Sequence, residues 1–185
     1  MTSLILRFGT VAGLIVAIPM VWRMLTLDAT QTADPLGGML IGYLTMMVAL
    51  TAVFLGVKRY RDTVKGGTVR FLPAFGVGLG ISAVACVFYV VGWEISMAYS
   101  EFDFTKYYTN YMIESARAKG LSGEALAQAT RDAMAFAENY RNPLLRMPMT
   151  FVEMFPVGLL VSLISAAILR NSRVLPARAA RPSRG

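Results

Sequence analysis

Phe71–Met97 reads FLPAFGVGLGISAVACVFYVVGWEISM, and Glu94 is its one charged residue. As a helix rising about 1.5 Å per residue, this stretch is about 40 Å long. A bilayer's hydrocarbon core of about 30 Å is crossed by about 20 such residues. A helix packed on a water-soluble core keeps one polar face. No such face can be drawn here.

Working outward, three further stretches have the same character. These are Leu36–Val57, Met149–Leu169 and Leu4–Leu27. The last is charge-free only from Phe8 to Trp22, with Arg7 and Arg23 near its ends, where arginine can reach the headgroups. A cleaved signal peptide competes for this segment, but no small-x-small site follows Trp22. Hydrophobic residues make up 56% of the chain and charged residues 16%, with mean hydropathy +0.54. A water-soluble domain carries about 25% charged residues. The sequence therefore predicts an all-α polytopic membrane protein with four transmembrane helices. Residues 1–175 form one membrane domain, and residues 176–185 a disordered basic tail.

Charge sets the expected orientation. Lys58, Arg59, Arg61, Lys65 and Arg70 follow the second span against Asp62 alone, and Arg170, Arg173, Arg178, Arg181 and Arg184 follow the fourth with no acid. The first gap holds only Asp28 and Asp34, and the long gap 100–148 balances six basic against six acidic side chains. By the positive-inside rule, both termini and the Lys58–Arg70 loop face the cytoplasm, and segment 100–148 lies outside. The net charge of +7 belongs to these flanks, which argues for anionic lipid and against nucleic acid.

Segment 100–148 alone has water-facing character. Phe104, Tyr107, Tyr108 and Tyr111 recur at helical spacing, Gly120 breaks the run, and Ser122 is placed to cap a second helix to about Tyr140. Leu126, Ala129, Ala133, Ala137 and Tyr140 would form its apolar stripe, and Asn142-Pro143 would end it. The expected result is an extracytoplasmic helical hairpin between the third and fourth spans. Its tyrosines serve either hairpin packing with an interfacial aromatic belt, or a surface for lipid or protein.

Small residues four apart occur in every span: Gly9 and Gly13, Gly38 and Gly42, Gly76 and Gly80, and Gly158, Ser162 and Ala166. Such spacing lets helix backbones approach in lipid, and points to a tight bundle or a homo-oligomer. Ionisable groups within spans are the first place to look for binding. Arg23, Glu94 and Glu153 all fall toward one membrane face, so Arg23 is expected to pair with either glutamate as a structural pin, or to form with them a site for cations or headgroups.

Little else suggests chemistry. Histidine is absent, Cys86 is a lone cysteine in an apolar run, and the twelve methionines are dispersed as core filler. Phosphate loops, hydrolase elbows and metalloprotease motifs are missing, so no catalytic residue, metal or cofactor is expected. Beyond Thr45 and Met46, nothing in the second span offers a water path.

The order of features resembles a family of bacterial four-helix inner-membrane proteins catalogued only as a domain of unknown function. Carrying the resemblance are Lys58-Arg59-Tyr60-Arg61 with Gly66-Gly67, then Phe71-Leu72-Pro73-Ala74-Phe75-Gly76-Val77-Gly78, then the Gly120-Leu121-Ser122 turn and Asn142-Pro143. Phe155-Pro156-Val157-Gly158-Leu159 and Ser162-Leu163-Ile164-Ser165 complete it. The family implies four spans and supplies no functional residues. The expectation is a non-enzymatic accessory or scaffold subunit that contacts protein or lipid through its hairpin. The alternative is an oligomeric transport or lipid-handling protein, and membrane lipids are partners in both.

Overall fold

The apolar runs fold as helices longer than the runs themselves. The computed structural model describes residues 1–26 and 35–177. In chain order the helices are α1 (Thr2–Thr26), α2 (Pro35–Arg59), α3 (Phe71–Tyr99), α4 (Phe104–Ala118), α5 (Gly123–Arg141) and α6 (Pro143–Leu169). A π-helical turn, Tyr60–Val64, extends α2. No strand occurs among the described residues. Asp28 and Asp34 of the first gap, and Arg178, Arg181 and Arg184 of the tail, lie outside them.

The largest difference from expectation is the start of the fourth long helix, which begins at Pro143 rather than Met149. Arg146 and Pro148 interrupt the hydropathy but not the backbone. Asn142 caps the helix by accepting the Leu144 N–H at 3.0 Å, and Pro143 occupies its first turn. Asn142-Pro143 thus ends α5 and starts α6 at once. Pro148 and Pro156 each remove a helical hydrogen bond without stopping the helix. At the other end of the hairpin, Asp103 caps α4 by accepting the Lys106 N–H at 2.9 Å. Gly120 supplies the turn at φ 82°. Ser122 stands at the N-cap of α5 in extended geometry, but its hydroxyl makes no capping bond.

α3 packs on α1 and α6, and α2 packs on the same two helices, which closes a four-sided bundle. Its core joins Val16, Leu50, Val53, Ile81 and Met154 with alanines that let the axes approach. Small residues decide which faces meet. A Cβ on Gly9 would stand 2.5 Å from Val84 Cβ, and one on Gly13 would run into Phe88, so α1 lies against α3 through these two positions. Gly80 meets Ile5 at 3.1 Å in the same seam. Between α3 and α6, Gly78 faces Ser162 and Gly158 faces Ser82, and both serines are fully buried. The Ser82 and Ser162 hydroxyls, 3.2 Å apart, each donate toward the Gly158 carbonyl. Gly76 and Gly42, expected to pack, have open space where a Cβ would be. Gly38 lies on α2, with its packing outside what is described.

The outward faces are as apolar as the seams. Four helices are long and apolar enough to cross a membrane, and only 28–39% of their most apolar windows is buried inside the protein. Leu44, Met47, Val48, Leu72 and Val152 stand exposed on those faces. Such a belt needs hydrocarbon around it. The protein is membrane-embedded.

At the bundle end opposite the hairpin, Arg61 is fully buried. Its Nε donates to Asp62 at 2.7 Å, its Nη1 to the Val174 carbonyl at 2.8 Å, and its Nη2 to the Leu175 carbonyl. Lys58 meets the same Asp62 at 2.5 Å. A residue expected only to orient the chain therefore clasps the segment after α6.

Candidate functional site

Glu94 and Arg146 form the strongest polar contact at the hairpin end. Arg146 Nε and Nη2 reach the two Glu94 carboxylate oxygens at 2.8 and 2.5 Å, a bidentate pair. The Arg146 side chain is 8% exposed and that of Glu94 18%, so the pair is nearly desolvated. Nη1 of the same guanidinium donates to the Tyr140 carbonyl at 3.1 Å. Arg146 thereby joins α6 to α3 and to the end of α5, holding the hairpin on the bundle. Arg23 takes no part in it. The expected partnership of Arg23 with Glu94 is replaced by one with a residue 52 positions away in sequence.

Arg23 instead lines a cavity of about 500 Å³ between the bundle and the hairpin. The volume falls within the range of small-molecule sites. Val16, Pro19, Met20 and Met24 of α1 form one wall, and Ile41, Gly42, Tyr43, Thr45 and Met46 of α2 another. Tyr89 and Trp93 of α3, Glu153 of α6 and Tyr140 of α5 form the far side. Phe104, Tyr107, Tyr108 and Tyr111 of α4, with Phe102 before it, complete the enclosure. All three tyrosines singled out in the sequence reach this space.

The aromatic residues are ordered by their mutual packing. Trp93 meets Phe104 edge-on with centroids 4.8 Å apart, and Phe104 stacks on Tyr108 at 5.7 Å. Tyr108 continues to Phe136 of α5 at 5.5 Å, and Phe136 to Tyr140 at 5.1 Å. The tyrosine stripe thus both packs the hairpin and walls the cavity. Burial pushes the Tyr140 phenol up to about 12, so it stays a neutral hydroxyl at any physiological pH. The Trp93 Nε1–H is buried and has no hydrogen-bond partner among the described residues, although the Tyr140 hydroxyl is near enough to interact with it.

Arg23 and Glu153 both line the cavity, and neither has an ion-pair partner among the described residues. Arg23 is half-buried, and no carboxylate pairs with it among the described residues. Glu153 has the Tyr89 hydroxyl as a hydrogen-bonding neighbour and no cation among the described residues. Glu153 lies about 6 Å beyond Met149, one turn into the apolar run of α6. Carboxylates within an apolar span are uncommon and mark candidate functional positions. Among the described residues no three Cys, Asp or Glu side chains converge to hold a metal. The arrangement can bind a polar group on two opposite charges while aromatic rings cover the rest.

Of the binding candidates read from the sequence, Arg23, Glu153, Tyr107, Tyr108 and Tyr111 come together here, and Glu94 lies apart with Arg146. Sequence reasoning missed Arg146, Trp93, Tyr89 and Tyr140. Arg146 was counted among loop charges. The three aromatics read as ordinary apolar residues, and nothing in spacing alone turns them toward one void.

No curated protein and no solved structure matches the chain. A family model described as a protein of unknown function, DUF4199, matches residues 7–171, which takes in all four long helices, the hairpin and every residue of the cavity. The chain, membrane-embedded by its four apolar helices, belongs to the DUF4199 family of proteins of unknown function.

Proposed function

We propose that this is a lipid-handling membrane protein that holds an amphiphile in the cavity between the bundle and its hairpin. The single observation that carries this reading is that Arg23 and Glu153, neither ion-paired among the described residues, line one aromatic-walled space. In this reading the protein sits in a bacterial inner membrane with both termini cytoplasmic and the hairpin outside. The basic residues flanking the spans support that orientation. The cavity then opens at the outer leaflet, where a headgroup would lie.

The accessory-subunit reading places contact on the hairpin's free surface. It is the weaker one, because the hairpin's aromatic residues turn inward to the cavity and to each other. Aromatic anchors are what a protein-docking surface would most need.

Gly42 provides the test. It lines the cavity, and a Cβ there meets nothing within 4 Å, so Gly42→Phe fills the space without disturbing a helix seam. Native mass spectrometry of the mildly solubilised protein is expected to find bound lipid on the wild type and little on Gly42→Phe. Equal lipid retention by both would end the proposal.

A further inference from the structure

Arg23 and Glu153 are separated on the same cavity wall system instead of being paired across it. Opposite charges that share a cavity ordinarily close on each other, since pairing offsets the cost of the water each has lost. Here the space between them is bounded by rings. On the Glu153 side stand the Tyr89 hydroxyl and the Trp93 indole. Tyr107, Tyr108 and Tyr111 stand on the α4 side. A guest that met Arg23 with an anion and Glu153 with a cation would neutralise both at once. The rings would favour the cationic end through their faces.

The α2 wall says where the rest of such a guest would go. Ile41 and Tyr43 line the cavity, while their α2 neighbours Leu40 and Leu44 do not line it and are 57% and 65% exposed. The cavity therefore borders the apolar surface that faces hydrocarbon, along which acyl chains can lie. A wholly water-soluble guest would have no use for that surface.

We infer that the cavity recognises a zwitterionic phospholipid headgroup, its phosphate at Arg23 and its ammonium at Glu153. The inference rests on the amphiphile reading above and specifies its ligand. Selectivity comes from Glu153. An anionic headgroup satisfies Arg23 but leaves Glu153 facing negative charge, whereas a zwitterion satisfies both.

The experiment titrates the full-length protein in detergent with phosphatidylethanolamine, with phosphatidylglycerol bearing the same acyl chains, and with water-soluble phosphoethanolamine. Native mass spectrometry reads occupancy. The wild type is expected to prefer phosphatidylethanolamine by about tenfold, the equivalent of one charge-assisted contact. Glu153→Gln, close to isosteric, should abolish that preference while still binding lipid. Arg23→Gln should weaken both lipids together. Equal retention of the two lipids by the wild type, or an unchanged preference in Glu153→Gln, overturns the inference. If either charge variant fails to fold, the wild-type preference alone decides the matter. Displacement of phosphatidylethanolamine by equimolar phosphoethanolamine keeps the headgroup chemistry but overturns a membrane lipid as its source. Gly42→Phe separates the two levels: lipid lost there with no headgroup preference in the wild type defeats the zwitterion and spares the amphiphile.

Discussion

Replacing Glu94 by glutamine would leave the Arg146 guanidinium nearly buried beside a neutral amide, although its bond to the Tyr140 carbonyl would survive. Removing one partner of such a pair costs about 3–5 kcal/mol, because the remaining charge stays desolvated. The thermal unfolding midpoint of Glu94→Gln in detergent should fall accordingly. The double variant Glu94→Leu with Arg146→Met should recover part of the loss, since neither charge is then stranded. If the two single losses simply add, the pair is not a coupled unit. This contact shows where sequence stops being legible at the residue scale. Arg146 lies in a segment whose charges balance, and its neighbour in space is 52 residues away. Arg23 and Glu153 were legible as charges in apolar surroundings, but that they share a cavity depends on how four helices rotate about their axes. The Tyr107, Tyr108 and Tyr111 stripe was legible as a face, and only packing decides that the face looks inward.

The seams between helices separate two kinds of glycine that look alike in sequence. Gly9→Ala would place a methyl group 2.5 Å from Val84 Cβ and force α1 away from α3, an overpacking cost of about 1–3 kcal/mol. Gly76→Ala, at an exposed position with open space around it, should leave stability unchanged or raise it by up to about 1 kcal/mol through helix propensity. Thermal unfolding of the two variants side by side checks this. Equal destabilisation would mean that the α1–α3 seam does not depend on close approach. The spacing of small residues identified helices able to pack tightly, because spacing four apart puts both residues on one face. It could not identify which face meets a partner. Gly42 looks into the cavity and Gly76 looks outward, whereas Gly78, Gly92 and Gly56, which the sequence reading did not single out, all touch neighbouring helices. Helix ends were read from hydropathy, and α6 departs from that reading because Arg146 and Pro148 interrupt the apolar run while Asn142 and Pro143 start the helix earlier.

Across the whole molecule, four long helices and a hairpin between the third and fourth were legible because hydrocarbon tolerates few alternatives. A backbone crossing it must satisfy its own hydrogen bonds, and a run of about 20 apolar residues has one way to do so. Orientation is carried by charge alone. An enzyme reporter joined after Gly185 is expected to be active in the cytoplasm and silent in the periplasm, and the reverse pattern would invert the proposed topology.

The clasp made by Arg61 ties the far end of the molecule together, and its acceptors are main-chain oxygens rather than side chains. Side-chain truncation at Val174 therefore leaves the knot intact, because alanine brings the same carbonyl. Shortening the chain at Arg173 does not: a dry guanidinium loses two of its three anchors. An engineer trimming the terminus would untie the structure at a place where an alanine scan had detected nothing.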